Sequence, residues 1–151
     1  QLDVKYVYPQ GRREYQFTIL DPYTEQCFAE IFPTRESKNA AFVIDRAAAY
    51  FGFPILSVQT DNGSEFRGEF HAWCESRHIP HFFIPKKSPY WNGKVERVHR
   101  TVDEEFYQNP RREWHALSEW LTYYNTERLH ETLGGITPQE KVDQLIHIVT
   151  P

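Results

Sequence analysis

Leu2, Val4, Tyr6 and Tyr8 are interleaved with Asp3, Lys5 and Val7, a period of two that predicts a pleated strand. Pro9-Gln10-Gly11 is turn chemistry, and a second alternating run covers residues 15–20. Asp21-Pro22-Tyr23-Thr24 turns the chain again before a third strand over 27–32. Connections this short predict an antiparallel meander. The period then becomes helical: Ser37 is a candidate cap, Ala40, Val43, Ala47 and Tyr50 share a face, and Gly52 and Pro54 are stop signals. Residues 55–59 form a short buried strand ending at Thr60-Asp61-Asn62-Gly63. A helix over 65–77 places Phe66, Phe70 and Cys74 on one face, and a fifth strand follows over 81–84. The helix between these two strands predicts a parallel crossover. After a loop over 85–91, Asn92 is placed to cap a long helix with a stripe at Val95, Val98, Val102 and Phe106. Asn109-Pro110 restarts a last helix carrying Trp114, Leu117 and Leu121. The predicted order, βββαβαβαα, is an α/β fold with a mixed five-stranded sheet flanked by helices.

At 151 residues, 40% hydrophobic and 25% charged, the chain has the make-up of one globular domain spanning 1–151. No run approaches the ~20 apolar residues of a membrane helix, so no membrane partner is expected. Cys27 and Cys74 cannot frame a disulfide scaffold, which points to an intracellular protein. The chain lacks methionine and opens inside a strand, so it is expected to be excised from a longer protein with separate N- or C-terminal DNA-binding domains. A net charge of −4 gives no bulk attraction to nucleic acid. Between residues 86 and 100, however, stand five cations (Lys86, Lys87, Lys94, Arg97, Arg100) and one acid, Glu96. That segment could track a DNA backbone, with Tyr90 and Trp91 available to stack on a base; a solvated basic face is the other reading.

Three acids stand out. Asp3 lies within the first strand, Asp61 where the fourth strand ends, and Glu96 in the first turn of the helix after the basic loop. If the first and fourth strands are neighbours, the three converge, and their repulsion calls for divalent cations; an all-oxygen set suits Mg²⁺ or Mn²⁺. Two such ions activate a nucleophilic oxygen and stabilise a leaving oxygen of a phosphodiester. Spacing alone leaves three unrelated acids as the alternative. His71, Cys74, His78 and His81 suggest zinc by spacing. Yet Cys74 shares its face with Phe66 and Phe70 and no Cys-x-x-Cys supports it, so no zinc site is expected.

Gln1-Leu2-Asp3, then residues 59–66 (Gln-Thr-Asp-Asn-Gly-Ser-Glu-Phe), then Asn92-Gly93-Lys94-Val95-Glu96-Arg97 resemble the catalytic core of the retroviral-integrase superfamily, most of all the DDE transposases of bacterial insertion sequences. Pro89, His99-Arg100-Thr101, Tyr124-Asn125, Arg128, His130 and Thr137-Pro138 extend the likeness over nearly the whole chain. The resemblance implies an RNase H-like fold and metal-dependent cleavage and joining of DNA, with Asp3, Asp61 and Glu96 as the catalytic and metal-binding triad. It implies two ions when DNA is bound, transposon ends and target DNA as partners, a homo-oligomer of at least two chains, and a bacterial, cytoplasmic, nucleoid-associated setting. Lys86, Lys87, Tyr90, Asn92, Lys94, Arg97 and Arg100 are the expected DNA contacts. An RNase H-like nuclease or junction resolvase, or a degenerate element serving only in DNA binding or assembly, are the alternatives.

The chain departs from the pattern in three places. Thirty-four residues separate Asp61 from Glu96, one fewer than the usual retroviral spacing. Glu25 stands where a basic residue is commoner, and Leu129 replaces a proline before His130. Glu65 is expected at a helix start as a dipole partner, and Asp103, Glu104 and Glu105 are expected to face solvent. Arg128 and His130 follow a helix end, where either helix-terminal electrostatics or a DNA or subunit contact accounts for them.

Overall fold

The computed structural model describes residues 1–85 and 91–149. Strands β1 (Leu2–Val7), β2 (Glu14–Leu20) and β3 (Cys27–Phe32) form the expected antiparallel meander, with Asp3 opposite Thr18 and Leu20 opposite Cys27. Alternation along the strands divides two cores. Leu2, Phe17 and Ile19 pack under helices on one face, while Leu20, Cys27 and Ala29 face the other.

Helix α1 (Ser37–Phe51) covers the first face with Ala40, Val43, Ile44 and Ala47. Ser37 is its first helical residue, and Glu36 holds the cap position without a side-chain bond. Gly52 ends the helix at φ 74°, a left-handed conformation that costs glycine nothing. Tyr50, at the end of the expected stripe, emerges half-exposed. Strands β4 (Val58–Thr60) and β5 (His81–Phe83) pair in parallel across helix α2 (Glu69–Ser76). The helix expected from residue 65 starts later. A 3₁₀ turn over Ser64–Phe66 comes first, and Gly68, at φ 57° and ψ −108°, breaks the path. Phe66, Phe70 and Cys74 are nonetheless fully buried together.

The expected five-stranded sheet is divided. Among the described residues, β1–β2–β3 form one ladder and β4–β5 another. β1 lies beside β4, and the Gln1 side-chain amide donates to Gln59 Oε1 at 3.2 Å across that seam. Side chains and the shared core therefore join the two sheets.

On the second face, α3 (Gly93–Val102) buries Val95, Val98 and Val102 and continues into a π-helical turn over Asp103–Tyr107. The helix expected at Asn109-Pro110 does not form there. Asn109 Oδ1 accepts the Arg111 N–H, and α4 (Leu117–Thr126) waits for Glu119, whose carboxylate accepts the His115 N–H at 2.7 Å. A further helix, α5 (Pro138–Val149), follows. Thr137 Oγ1 accepts the Glu140 N–H while Glu140 Oε2 accepts the Thr137 N–H, a reciprocal capping box whose Thr-x-x-Glu signature is visible in the sequence.

β3 is an edge strand, and α4 closes it with one side chain. Asn125, 1% exposed, accepts the Cys27 N–H at 2.8 Å and donates to the Cys27 carbonyl at 2.7 Å. Replacing it with alanine orphans both backbone groups in the core. Asn125→Ala is expected to lower unfolding stability by about 2–4 kcal/mol, measured by urea denaturation with an unchanged m-value.

Candidate functional site: a carboxylate edge on β1, β4 and α3

β1 beside β4 puts Asp3 and Asp61 at one edge of the sheet. Asp3 falls on the strand face that carries Thr18 and Leu20, the face covered by α3. Asp61 follows the last residue of β4, on a turn that its own side chain and that of Asn62 help to hold. Its Oδ1 accepts the Gly63 N–H at 2.8 Å, and Asn62 Nδ2 donates to the Ile84 carbonyl at 2.7 Å. Glycine at residue 63 serves space, not φ. A Cβ there would lie 2.7 Å from Glu65 Oε2 and 2.9 Å from Asp61 Oδ1. Glu65 is 5% exposed beneath this turn, 3.5 Å from Arg35 Nε. It is thus a buried support of the turn rather than a partner of a helix end.

The Asp3 carboxylate accepts the Val4 N–H at 2.9 Å and the Asn92 side-chain amide at 3.2 Å. Asn92 stands at the start of α3, yet its side chain makes no cap and turns onto Asp3. Burial raises the Asp3 pKa to about 6, and the Asp61 and Glu96 carboxylates add to that rise against the two hydrogen bonds. The three predicted acids therefore share one electrostatic field. Glu96 is exposed in the first turn of α3. One turn on, His99 Nδ1 lies 3.7 Å from Asp3 Oδ2. Burial, with Lys5 nearby, lowers the His99 pKa to about 3, so the ring is neutral and gives Asp3 no counter-charge. Lys5 itself is committed to Asp103 and to the His99 carbonyl. Asn92 Oδ1 and His99 Nε2 are buried without a partner. Among the described residues, no group of three or more His, Cys, Asp or Glu side chains is drawn together closely enough to hold a metal.

Of the expected DNA contacts, Lys86, Lys87 and Tyr90 lie outside the described residues. Asn92 is buried against Asp3. Lys94 donates to the Pro22 carbonyl at 2.6 Å and pairs with Glu25 at 3.4 Å. Arg97 and Arg100 are exposed on α3.

Glu25 is the residue that pattern alone did not single out as a partner. It sits at φ 59°, 7% exposed, facing His130 Nδ1 at 3.1 Å and accepting the Thr132 hydroxyl at 2.8 Å. Burial would raise its pKa, but the bonds from His130 and Thr132, with the Lys94 charge, hold it at about 2. His130 is therefore spoken for within the chain, as is Arg128, which pairs with Glu105 at 2.9 Å. Glu105 also accepts the Trp120 indole N–H, and Asp103 pairs with Lys5, so neither of these acids simply faces solvent. The one sequence signal for this network was an acid where a base is commoner.

Two integrase core domain profiles match the chain, one over residues 1–89 and the other over residues 77–138. The ORF3 protein of Spiroplasma virus SpV1-C74, provisionally named an integrase, is 28% identical over 164 residues, covering 91% of this chain and 45% of that protein. The Gag-Pro-Pol polyprotein of squirrel monkey retrovirus is 28% identical over 103 residues, covering 68% of this chain and 5% of its own length. The chain thus spans less than half of either relative. Among solved structures, the simian T-cell lymphotropic virus intasome in complex with PP2A regulatory subunit B56 gamma superposes with a TM-score of 0.82 at 23% identity, over 93% of this chain and 52% of that one. The HTLV-2 integrase catalytic core domain in complex with magnesium, in its trimeric form, gives 0.76 at 20% identity, over 93% and 92% of the two chains. These likenesses establish the RNase H-like α/β fold, and the profile matches from β1 through α4 show that this chain belongs to the integrase core domain family.

Proposed function

We propose that this domain cuts DNA and joins the resulting end to a second DNA, with Asp3, Asp61 and Glu96 as a catalytic carboxylate triad that holds Mg²⁺ or Mn²⁺. The observation that carries this reading is Asp3. It is a largely buried acid whose pKa is lifted to about 6, first by burial and then by two further carboxylates, with a neutral histidine beside it in place of a cation. Such a cluster is costly by itself and becomes favourable around a divalent ion. The all-oxygen donor set fits hard cations, and the unpartnered Asn92 Oδ1 and His99 Nε2 offer contacts for bound water. When bound, the metal supplies charge neutralisation and a more nucleophilic oxygen for attack on phosphorus.

The chain's own residues supply positioning. Asn92 and the Val4 N–H orient the Asp3 carboxylate, leaving it free to turn little. The Gly63 N–H aims Asp61 from a turn anchored to β5. Glu96 enters from α3, the element that also exposes Arg97 and Arg100 to a passing phosphate backbone. Magnesium in the HTLV-2 core and the DNA assembly implied by an intasome support metal, DNA and an oligomer of this chain as partners. Strand transfer separates this reading from a simple nuclease, which would release cut ends without joining them.

Asp61→Asn is expected to reduce Mn²⁺-dependent nicking and joining of a duplex oligonucleotide at least 10³-fold, scored on a denaturing gel. Equal cleavage by the wild type in EDTA would sink the proposal. Gly63→Ala is expected to keep the fold but displace the Asp61 and Glu65 carboxylates, lowering activity at least tenfold; unchanged rates would show that the turn relaxes freely.

The Asp3 shift also fixes a pH dependence. Its folded-state pKa of about 6 lies above the ordinary 3.8, so the folded state binds the proton more tightly. That contribution is complete below about pH 4 and lost as pH rises through 6, about 1–3 kcal/mol in all. His99, with its lowered pKa, works in the opposite direction, so the Asp3 contribution is read as a difference: metal-free wild type should gain stability relative to Asp3→Asn at pH 5 and lose that gain at pH 7.5. Mg²⁺ should stabilise the wild type most at pH 7.5, and Asp3→Asn should remove that Mg²⁺ effect in calorimetry.

A further inference from the structure

Four metal-ligating residues crowd one stretch of the chain, and the fold sorts them. Cys74 is fully buried in the core and His78 is turned out to solvent. His71 on α2 and His81 on β5 are brought face to face, Nδ1 to Nδ1, at 3.0 Å. We propose that these two imidazoles form a second metal site, separate from the carboxylate edge, for a late first-row divalent ion such as Cu²⁺, Ni²⁺ or Zn²⁺.

Hydrogen-bond accounting supports this assignment. The Thr60 hydroxyl has one proton, and it goes to the Asp61 carbonyl at 2.8 Å. Thr60 Oγ1 therefore accepts from His81 Nε2, 2.9 Å away, which leaves the His81 Nδ1 lone pair facing His71. His71 turns its other nitrogen, Nε2, toward Glu75 Oε1 at 3.9 Å, one helical turn along α2. Both rings thus turn Nδ1 to the same point; in the metal-free pair His71 Nδ1–H donates to the His81 lone pair, and an ion would take that proton's place as the proton moves to His71 Nε2. Thr60 holds His81 as an outer partner holds a metal-bound histidine.

The distances agree with shared ligation. With metal–nitrogen bonds of about 2.0–2.1 Å, nitrogens at this separation subtend roughly 95° at a common ion. This is close to the cis angle of tetragonal Cu²⁺ or Ni²⁺, and a few tenths of an ångström of opening would suit tetrahedral Zn²⁺. Phe70 and Phe83 pack against His81, with ring centroids 5.0 and 4.5 Å away, and Phe83 also flanks His71. The pair is therefore walled by apolar rings on one side, and water fills the remaining positions from the other. Burial lowers the His81 pKa to about 4 and the neighbouring His71 adds to the effect, so His81 is neutral and ligand-ready at neutral pH. An ion here would tie α2 to β5 directly behind the turn that carries Asp61.

The test uses the chain carrying Asp3→Asn and Asp61→Asn, in excess Mg²⁺, so that binding at the carboxylate edge cannot be mistaken for binding here. One equivalent of Cu²⁺ should bind with an electron paramagnetic resonance spectrum showing hyperfine structure from two imidazole nitrogens. Zn²⁺ at a hundredfold excess over its dissociation constant should raise Tm by about 5–10 °C. His71→Ala, at a half-buried position, should keep its metal-free Tm, weaken Cu²⁺ binding at least tenfold and lose the two-nitrogen signature, while His78→Ala should change neither. Binding that survives His71→Ala, or a parent spectrum with fewer than two imidazoles, would overturn the proposal and leave the pair as an imidazole–imidazole hydrogen bond. The parent spectrum decides the matter even if the variant misfolds.

Discussion

A carboxylate that burial and like charge both disfavour sits at the centre of this domain. Asp3 is the second residue of β1, inward toward α3, with two acids in its field and, among the described residues, no lysine or arginine paired with it. Its neighbours orient this carboxylate but leave its charge uncompensated. Asn92 gives up a capping role to donate to it, His99 is held neutral beside it, and Lys5 is drawn away to Asp103. A protein that needed only stability would place an apolar residue there. A perturbed acid of this kind, kept within a well-packed frame, marks a candidate functional site.

The frame itself is assembled from small pieces. The ladder stops between β1 and β4, so the seam that carries Asp3 and Asp61 depends on the core beneath it: Leu2, Phe17 and Ile19 from the first sheet and Val58 from the second, packed under α1. On the opposite face, Asn125 closes the edge of β3 and Glu25 gathers His130, Thr132 and Lys94. That network fastens α3 to the β2–β3 turn through Lys94, two residues before Glu96. A lysine that charge counting assigns to DNA is thereby engaged in holding the helix that carries the third acid, while Arg97 and Arg100 remain outward.

Much of this was legible from the order of residues. Alternation located β1, β2 and β3, the helical stripe located α1 and α3, and the motifs around Asp3, Asp61 and Glu96 pointed to the family that the profile matches establish. The misses have identifiable causes. The late start of α2 comes from a backbone break at Gly68, and the late start of α4 from local turn bonding at Asn109. α5 was announced by its Thr137–Glu140 capping box, a signal that depends on reading polar residues as caps rather than as loop.

Periodicity and turn chemistry act over a few residues, so sequence by itself determined β1 to β3, α1 and α3, their apolar faces and the positions of the three acids. Pairing over long separations is another matter. That Asn125 would meet Cys27, that Glu25 would meet His130, and that His71 and His81 would turn the same nitrogen toward each other while Cys74 sank into the core are outcomes of packing. Only the tertiary structure decided them, because a side chain's partner and its protonation are set by whatever the fold brings within a few ångströms and by how much water it removes.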